Sequence, residues 1–113
     1  RRDFVYVGDL AKTVVRAADG TGRGTYHFSS GKDIAIRELY DSVVNAMKLN
    51  DYPEPEVRPL GPDDAASILL DPSRTFADFG EVTFTPLADF VPKAIEYYRE
   101  HGVLGEYTHL KLK

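Results

Sequence analysis

The chain has 113 residues, enough for one small domain with a modest hydrophobic core. Fourteen basic and eighteen acidic residues give a net charge of -4, the wrong sign for a protein that neutralises the phosphates of a nucleic acid. No apolar run approaches the roughly 20 residues that cross a bilayer, and the lack of Cys excludes a disulfide framework and a thiolate metal site. We therefore expect a soluble, cytoplasmic protein that binds neither nucleic acid nor a membrane.

The first half of the chain predicts two short strands and two helices. Phe4–Val7 and Thr25–Ser29 are β-branched and aromatic runs, which favour strands. Asp9 is suited to cap a helix that ends near Gly20. A second helix is predicted from about Ile34 to Leu49, because apolar side chains recur there at helical spacing, namely Ile36, Leu39, Tyr40, Val43 and Met47.

The second half predicts a proline-rich loop followed by two more helices. Four prolines between residues 53 and 62 leave room only for a short edge strand around Val57. Asp71-Pro72 is a helix start that Gly80 ends, and Thr85-Pro86 starts another helix with a kink or restart at Pro92. For the tail 105–113 the sequence allows three interpretations: a strand, a frayed end or a contact arm. The predicted fold class is α/β, a small mixed lobe of short strands and about four helices.

Four segments occur in the order typical of one enzyme family. They are Arg1–Leu10, Tyr26–Gly31, Ile34–Leu39 and Asp71–Arg74. In this respect the chain resembles the C-terminal lobe of the extended short-chain dehydrogenase/reductases, the NAD(P)-dependent nucleotide-sugar epimerases and dehydratases. A Gly-rich dinucleotide fingerprint after a strand is missing, and the chain does not begin with Met. We therefore expect residues 1–113 to be a single substrate-binding lobe, a fragment of a larger enzyme that normally packs on a Rossmann domain absent from this chain.

The resemblance implies a function for the parent enzyme. It would be a 4-epimerase or dehydratase that acts through a 4-keto-sugar intermediate, with NAD or NADP bound mainly by the missing N-terminal lobe. The implied partners are a UDP- or dTDP-linked nucleotide sugar, that N-terminal Rossmann lobe and a second copy in a homodimer. The fragment alone would be inactive. Two alternatives stay open, a stand-alone non-catalytic α/β binding or regulatory module and a non-enzymatic relative that keeps the lobe as a partner surface.

Three residues are candidate substrate ligands. In the resembling enzymes the arginine at the position of Arg2 lies near the nucleotide diphosphate, and a guanidinium offers phosphate a planar fork of donors. Asp64 falls on the acid of the family's Arg-x-Gly-Asp-type loop, but Leu60 or Gly61 stands where a second arginine is usual. Arg58 takes that place only if the loop is re-registered. For Arg2 the plain alternative is an exposed terminal arginine, and for the loop it is an ordinary surface turn.

Other residues have structural interpretations. Asp3 is better suited to orient Arg2 or cap a turn than to bind a ligand, and Arg74 has a structural role near a helix start. The glycines at 20, 22 and 24 follow a helix, so they indicate a turn and not a phosphate cradle. The three histidines lack the spacing of metal ligands. Tyr107 and Lys111 spell Tyr-x-x-x-Lys without a helix start, so we assign no catalytic residue.

Overall fold

The computed structural model describes residues 1–102, which contain four helices and no strand. The helices are α1 (Val7–Ala18), α2 (Ile36–Ala46), α3 (Ser73–Phe79) and α4 (Leu87–His101). The predicted α/β class is therefore wrong for the described residues, although the expected number of helices is present. Only two isolated β-bridges occur there, both at Arg2. The tail 105–113, with Tyr107 and Lys111, lies outside the described residues.

The predicted strands fail because a strand needs a hydrogen-bonded neighbour, which local sequence does not supply. Phe4–Val7 is irregular up to Val7, which is already the first residue of α1. Thr25–Ser29 makes no backbone-to-backbone hydrogen bond within residues 1–102. The predicted edge strand at Val57 is an irregular, proline-flanked loop in which that side chain is 89% exposed.

The helices follow the predicted apolar periodicity, with shifted ends. α1 begins two residues before Asp9, and α2 is shorter than predicted. At the start of α2 the Glu38 carboxylate accepts a hydrogen bond from the Ala35 amide at 3.0 Å. Asp71 accepts from the Ser73 amide at 2.9 Å at the start of α3. α4 runs through Pro92 as one continuous helix, so the expected restart does not occur.

The core of the described residues is small. Only Phe79 and Val91 are buried apolar residues, while Asp9, Ser29 and Thr75 are buried polar ones. The helices α2 and α4 contact each other, but α1 leaves Val7, Leu10, Val14 and Val15 exposed. None of the helices within residues 1–102 has the length and apolar character to span a membrane. Aromatic pairs, such as Phe28 with Phe84, and polar contacts between loops join the described segments.

Candidate nucleotide-binding site

The backbone of Arg2 joins its own segment to two others that are distant in sequence. Its amide donates to the carbonyl of Ile34 at 3.0 Å, and the Ile34 amide donates back to the Arg2 carbonyl at 2.9 Å. The segment around Ile68 runs parallel on the other side, where the Ile68 amide donates to the Arg1 carbonyl at 3.3 Å. The Cα of Arg2 is therefore fixed from both sides by pairs far away in sequence.

Some N–H donors of the Arg2 guanidinium have no hydrogen-bond partner within residues 1–102. Its Nη1 donates to the carbonyl oxygens of Arg1 (2.8 Å) and Ala65 (2.9 Å). A guanidinium carries five N–H donors, and within residues 1–102 neither Nε nor Nη2 of Arg2 has a hydrogen-bond partner. None of the ion pairs among those residues includes Arg2. Among the described residues Arg2 is thus a half-buried cation without an ion-pair partner.

Arg2 lines a cleft of about 140 Å³. Its walls are Asp3, Val5, Phe28, Ser29, Ile68 and Leu70. A water molecule takes up about 30 Å³ of liquid volume, so the cleft holds a few waters or a group of phosphate size. Sites for whole ligands of drug size are usually about 300–1,000 Å³, so a nucleotide sugar would need further walls from outside this cleft.

Asp3 binds the turn that follows the Thr25–Ser29 segment. Its Oδ2 accepts from the Ser29 hydroxyl (2.8 Å) and the Ser30 amide (2.7 Å), and its Oδ1 accepts from the Ser30 hydroxyl (2.5 Å). Ser29 is only 2% exposed, and its hydroxyl is also 3.0 Å from the carbonyl of Leu70. The carboxylate of Asp3 thus ties the Arg2 segment to the turn that precedes Ile34, and the Ser29 side chain of that turn lies against the Leu70 carbonyl.

A second carboxylate joins the same segments at the surface. Asp33 accepts from Arg1 Nε at 2.9 Å and from the Ser67 hydroxyl. The hydrogen bond from Ser67, followed by that from Arg1, lowers the pKa of Asp33. Because the ionised form accepts both bonds, Asp33 stays charged at neutral pH and contributes negative charge beside Arg1.

The other two predicted ligands are not brought to Arg2. Arg58 forms a two-bond pair with Glu56, from Nε to Oε1 at 3.1 Å and from Nη2 to Oε2 at 3.0 Å, and both side chains are exposed. Asp64 accepts from the Gly61 amide at 3.0 Å and so closes a turn of its own loop. What the loop does bring to Arg2 is the carbonyl of Ala65, a backbone contact that no side-chain motif reveals.

Comparisons with known proteins agree with the sequence motifs. No family model matches the chain. The chain is 30% identical over 99 residues to a UDP-glucose 4-epimerase of Mycolicibacterium smegmatis, covering 87% of this chain and 31% of that protein. It superposes on the crystal structure of the Bordetella bronchiseptica enzyme WbmH in complex with NAD+, with a TM-score of 0.84 and 67% identity, over 90% of this chain and 34% of WbmH. The enzyme WbmG of the same organism, in complex with NAD and UDP, matches with a TM-score of 0.68 and 30% identity over 88% of this chain and 31% of WbmG.

The chain belongs to the extended short-chain dehydrogenase/reductase family. It spans about a third of the length of these relatives and corresponds to a C-terminal part of them.

The glycines of this family member do not form a dinucleotide cradle within the described residues. Gly22 has φ +79°, and a Cβ there would lie 2.8 Å from Cε2 of Phe79, so this glycine allows the ring to pack on the turn. A Cβ at Gly24 would approach Arg74 Nη2 at 3.2 Å. Arg74 donates to the Arg23 carbonyl at 2.8 Å and lies over a tyrosine ring, as its structural interpretation predicts. The described residues therefore do not fit NAD by themselves, and no group of three potential metal ligands occurs among them.

Proposed function

We propose that this chain is the nucleotide-sugar-binding part of an NAD(P)-dependent 4-epimerase or dehydratase that acts through a 4-keto sugar. The observation that carries the proposal is Arg2, a half-buried cation that lines a cleft of phosphate size and has two guanidinium nitrogens without a partner among residues 1–102. The similarity to a UDP-glucose 4-epimerase, and to a structure that holds both NAD and UDP, supports the nucleotide as the source of that phosphate.

The role proposed for Arg2 is binding and not bond making. A guanidinium held at its Cα by two neighbouring segments can donate two parallel hydrogen bonds to diphosphate oxygens. Binding energy gained at the diphosphate, remote from the reacting carbon, helps to hold the sugar in one orientation. NAD or NADP, bound mainly by other parts of the enzyme, supplies the hydride chemistry. Within this chain we assign no catalytic residue.

The exposed apolar side chains support packing against a second lobe, which we propose to be the NAD-binding lobe of the same protein. An open apolar groove of about 590 Å³ lies between the start of α1 and α4, lined by Tyr6, Phe90, Tyr97 and Tyr98 among others. Such a groove in a small protein is typical of an interaction surface. A stand-alone binding module would instead be expected to cover these side chains.

This difference gives a simple test of the module alternative. The isolated 113-residue chain should bind a hydrophobic dye and fail to turn over UDP-glucose with NAD, whereas the complete enzyme should bind little dye. A monomeric isolated chain with no dye binding would favour the module.

The nucleotide site is tested by UDP titration calorimetry on the complete enzyme. Arg2→Ala should weaken UDP binding by about 10- to 100-fold, since charge-assisted hydrogen bonds contribute about 1.5–3 kcal/mol. Arg58→Ala is the matched control, because that guanidinium is exposed and committed to Glu56. Equal affinities for the native protein and Arg2→Ala would refute the proposed site.

A further inference from the structure

We propose that Asp3 is a positioning residue, which sets the direction of the Arg2 guanidinium toward the diphosphate. This inference rests on the proposed function of Arg2. Asp3 does not pair with Arg2, since none of the ion pairs in residues 1–102 joins them. Its action is therefore indirect, through the segments that its carboxylate holds in place.

The carboxylate of Asp3 accepts three hydrogen bonds from two consecutive residues. Two come from serine hydroxyls and one from a backbone amide, all between 2.5 and 2.8 Å. Both oxygens are used, so the χ angles of Asp3 have one satisfactory setting. Because Asp3 directly follows Arg2, this setting also fixes the peptide that leaves Arg2.

The same turn reaches the two segments that contact Arg2. Four residues after Ser30, Ile34 exchanges two backbone hydrogen bonds with Arg2. The Ser29 hydroxyl is within 3.0 Å of the Leu70 carbonyl, and the chain just before Leu70 supplies the Ala65 carbonyl that accepts from Arg2 Nη1. The half-buried carboxylate of Asp3 and the turn it binds thus set the spacing of the backbone groups that orient the guanidinium. A shift of these groups moves Nε and Nη2, the donors left for a ligand.

A neutral amide at position 3 weakens this arrangement because it removes the charge that strengthens the hydrogen bonds. In Asp3→Asn the NH2 group can face the Ser30 hydroxyl, which also accepts, but the Ser29 hydroxyl and the Ser30 amide are left with one uncharged oxygen. We expect the turn to shift rather than unfold, because the backbone bridge between Arg2 and Ile34 does not involve this side chain.

The chain offers a matched control in Asp9. This carboxylate is buried, where that of Asp3 is half-buried, and it accepts from one residue's amide and hydroxyl, those of Thr85 at 2.7 and 2.9 Å. Asp9→Asn makes the same chemical change, but its partner lies outside the three segments that meet at Arg2. A lower overall stability should appear in both variants. A change in the orientation of the Arg2 guanidinium should appear only in Asp3→Asn.

The test is a double-mutant cycle on the complete enzyme with UDP and uridine as probes. Asp3→Asn should weaken UDP about tenfold, leave uridine unchanged, and add nothing to the effect of Arg2→Ala. Asp9→Asn should leave the ratio of UDP to uridine affinity at the native value. If Asp3→Asn fails to fold, Ser30→Ala removes one of the three bonds and should lower the same ratio by a smaller factor.

The two proposals fail differently. Unchanged UDP affinity in Arg2→Ala would remove the nucleotide site, and this inference with it. A loss of UDP affinity in Arg2→Ala, combined with native affinity in Asp3→Asn or with strictly additive effects in the double variant, would overturn only the positioning role. An equal loss for UDP and uridine in Asp3→Asn would also overturn it, because the effect would not act on the phosphates.

Discussion

The buried junction between α1 and the start of α4 should fail when Asp9 is replaced by Ala. Asp9 is 4% exposed, and its carboxylate accepts both polar hydrogens of Thr85. The substitution leaves an amide and a hydroxyl without an acceptor, at about 1–3 kcal/mol for each buried group. If one of these two groups is partly hydrated in the variant, the free energy of opening this junction falls by about 2–4 kcal/mol.

Amide hydrogen exchange of the complete enzyme, read by mass spectrometry, measures this loss locally. At 1.4 kcal/mol per factor of ten, protection of peptides from α1 and from residues 85–90 should fall by about 30- to 700-fold. Lys12→Ala, an exposed change on the same helix, should leave these peptides at native protection. Equal exchange in the two variants would refute the idea that Asp9 holds this junction.

The remaining predictions concern the start of α3 and the turn after α1. Hydrogen bonds from the backbone amide and then the side chain of Ser73 lower the pKa of Asp71. A folded pKa below the unfolded one means that the stabilisation is present above about pH 4 and is lost as the pH falls through the folded value. The protection factor of the Ser73 amide, taken relative to the unprotected rate at the same pH, should therefore fall in acid in the native protein but show no such step in Asp71→Asn. Gly22→Ala, which would place a Cβ against a buried ring, should lower the melting temperature more than Gly20→Ala, where φ is +99° but no atom lies within 4 Å. Equal shifts in the two glycine variants would contradict the packing role of Gly22.

Helices were predictable because their signal is local. The apolar spacing in α2 and the Asp71-Pro72 start of α3 depend only on residues within a few turns. The strand at Thr25–Ser29 was wrong because its composition favours pairing but no described segment pairs with it. Composition indicates a preference for a strand, whereas a strand also requires a neighbour.

In the candidate site too, local motifs were predictable and contacts between distant segments were not. Arg2 was identified from the Arg-Asp motif and the family resemblance, and the structure adds its fixed backbone and unused donors. The bond between Asp3 and Ser30 spans 27 residues and has no local signature. Arg58 was a candidate from the family resemblance if the loop is re-registered, and the structure shows it paired with Glu56, two residues away.

A crystal structure of the complete enzyme with UDP would show whether the guanidinium of Arg2 binds the diphosphate of a nucleotide sugar, as we propose. We expect Nε or Nη2 of Arg2 within about 3 Å of a diphosphate oxygen, with Nη1 still bound to the Ala65 carbonyl. A diphosphate held elsewhere, with the donors of Arg2 facing only water, would contradict it.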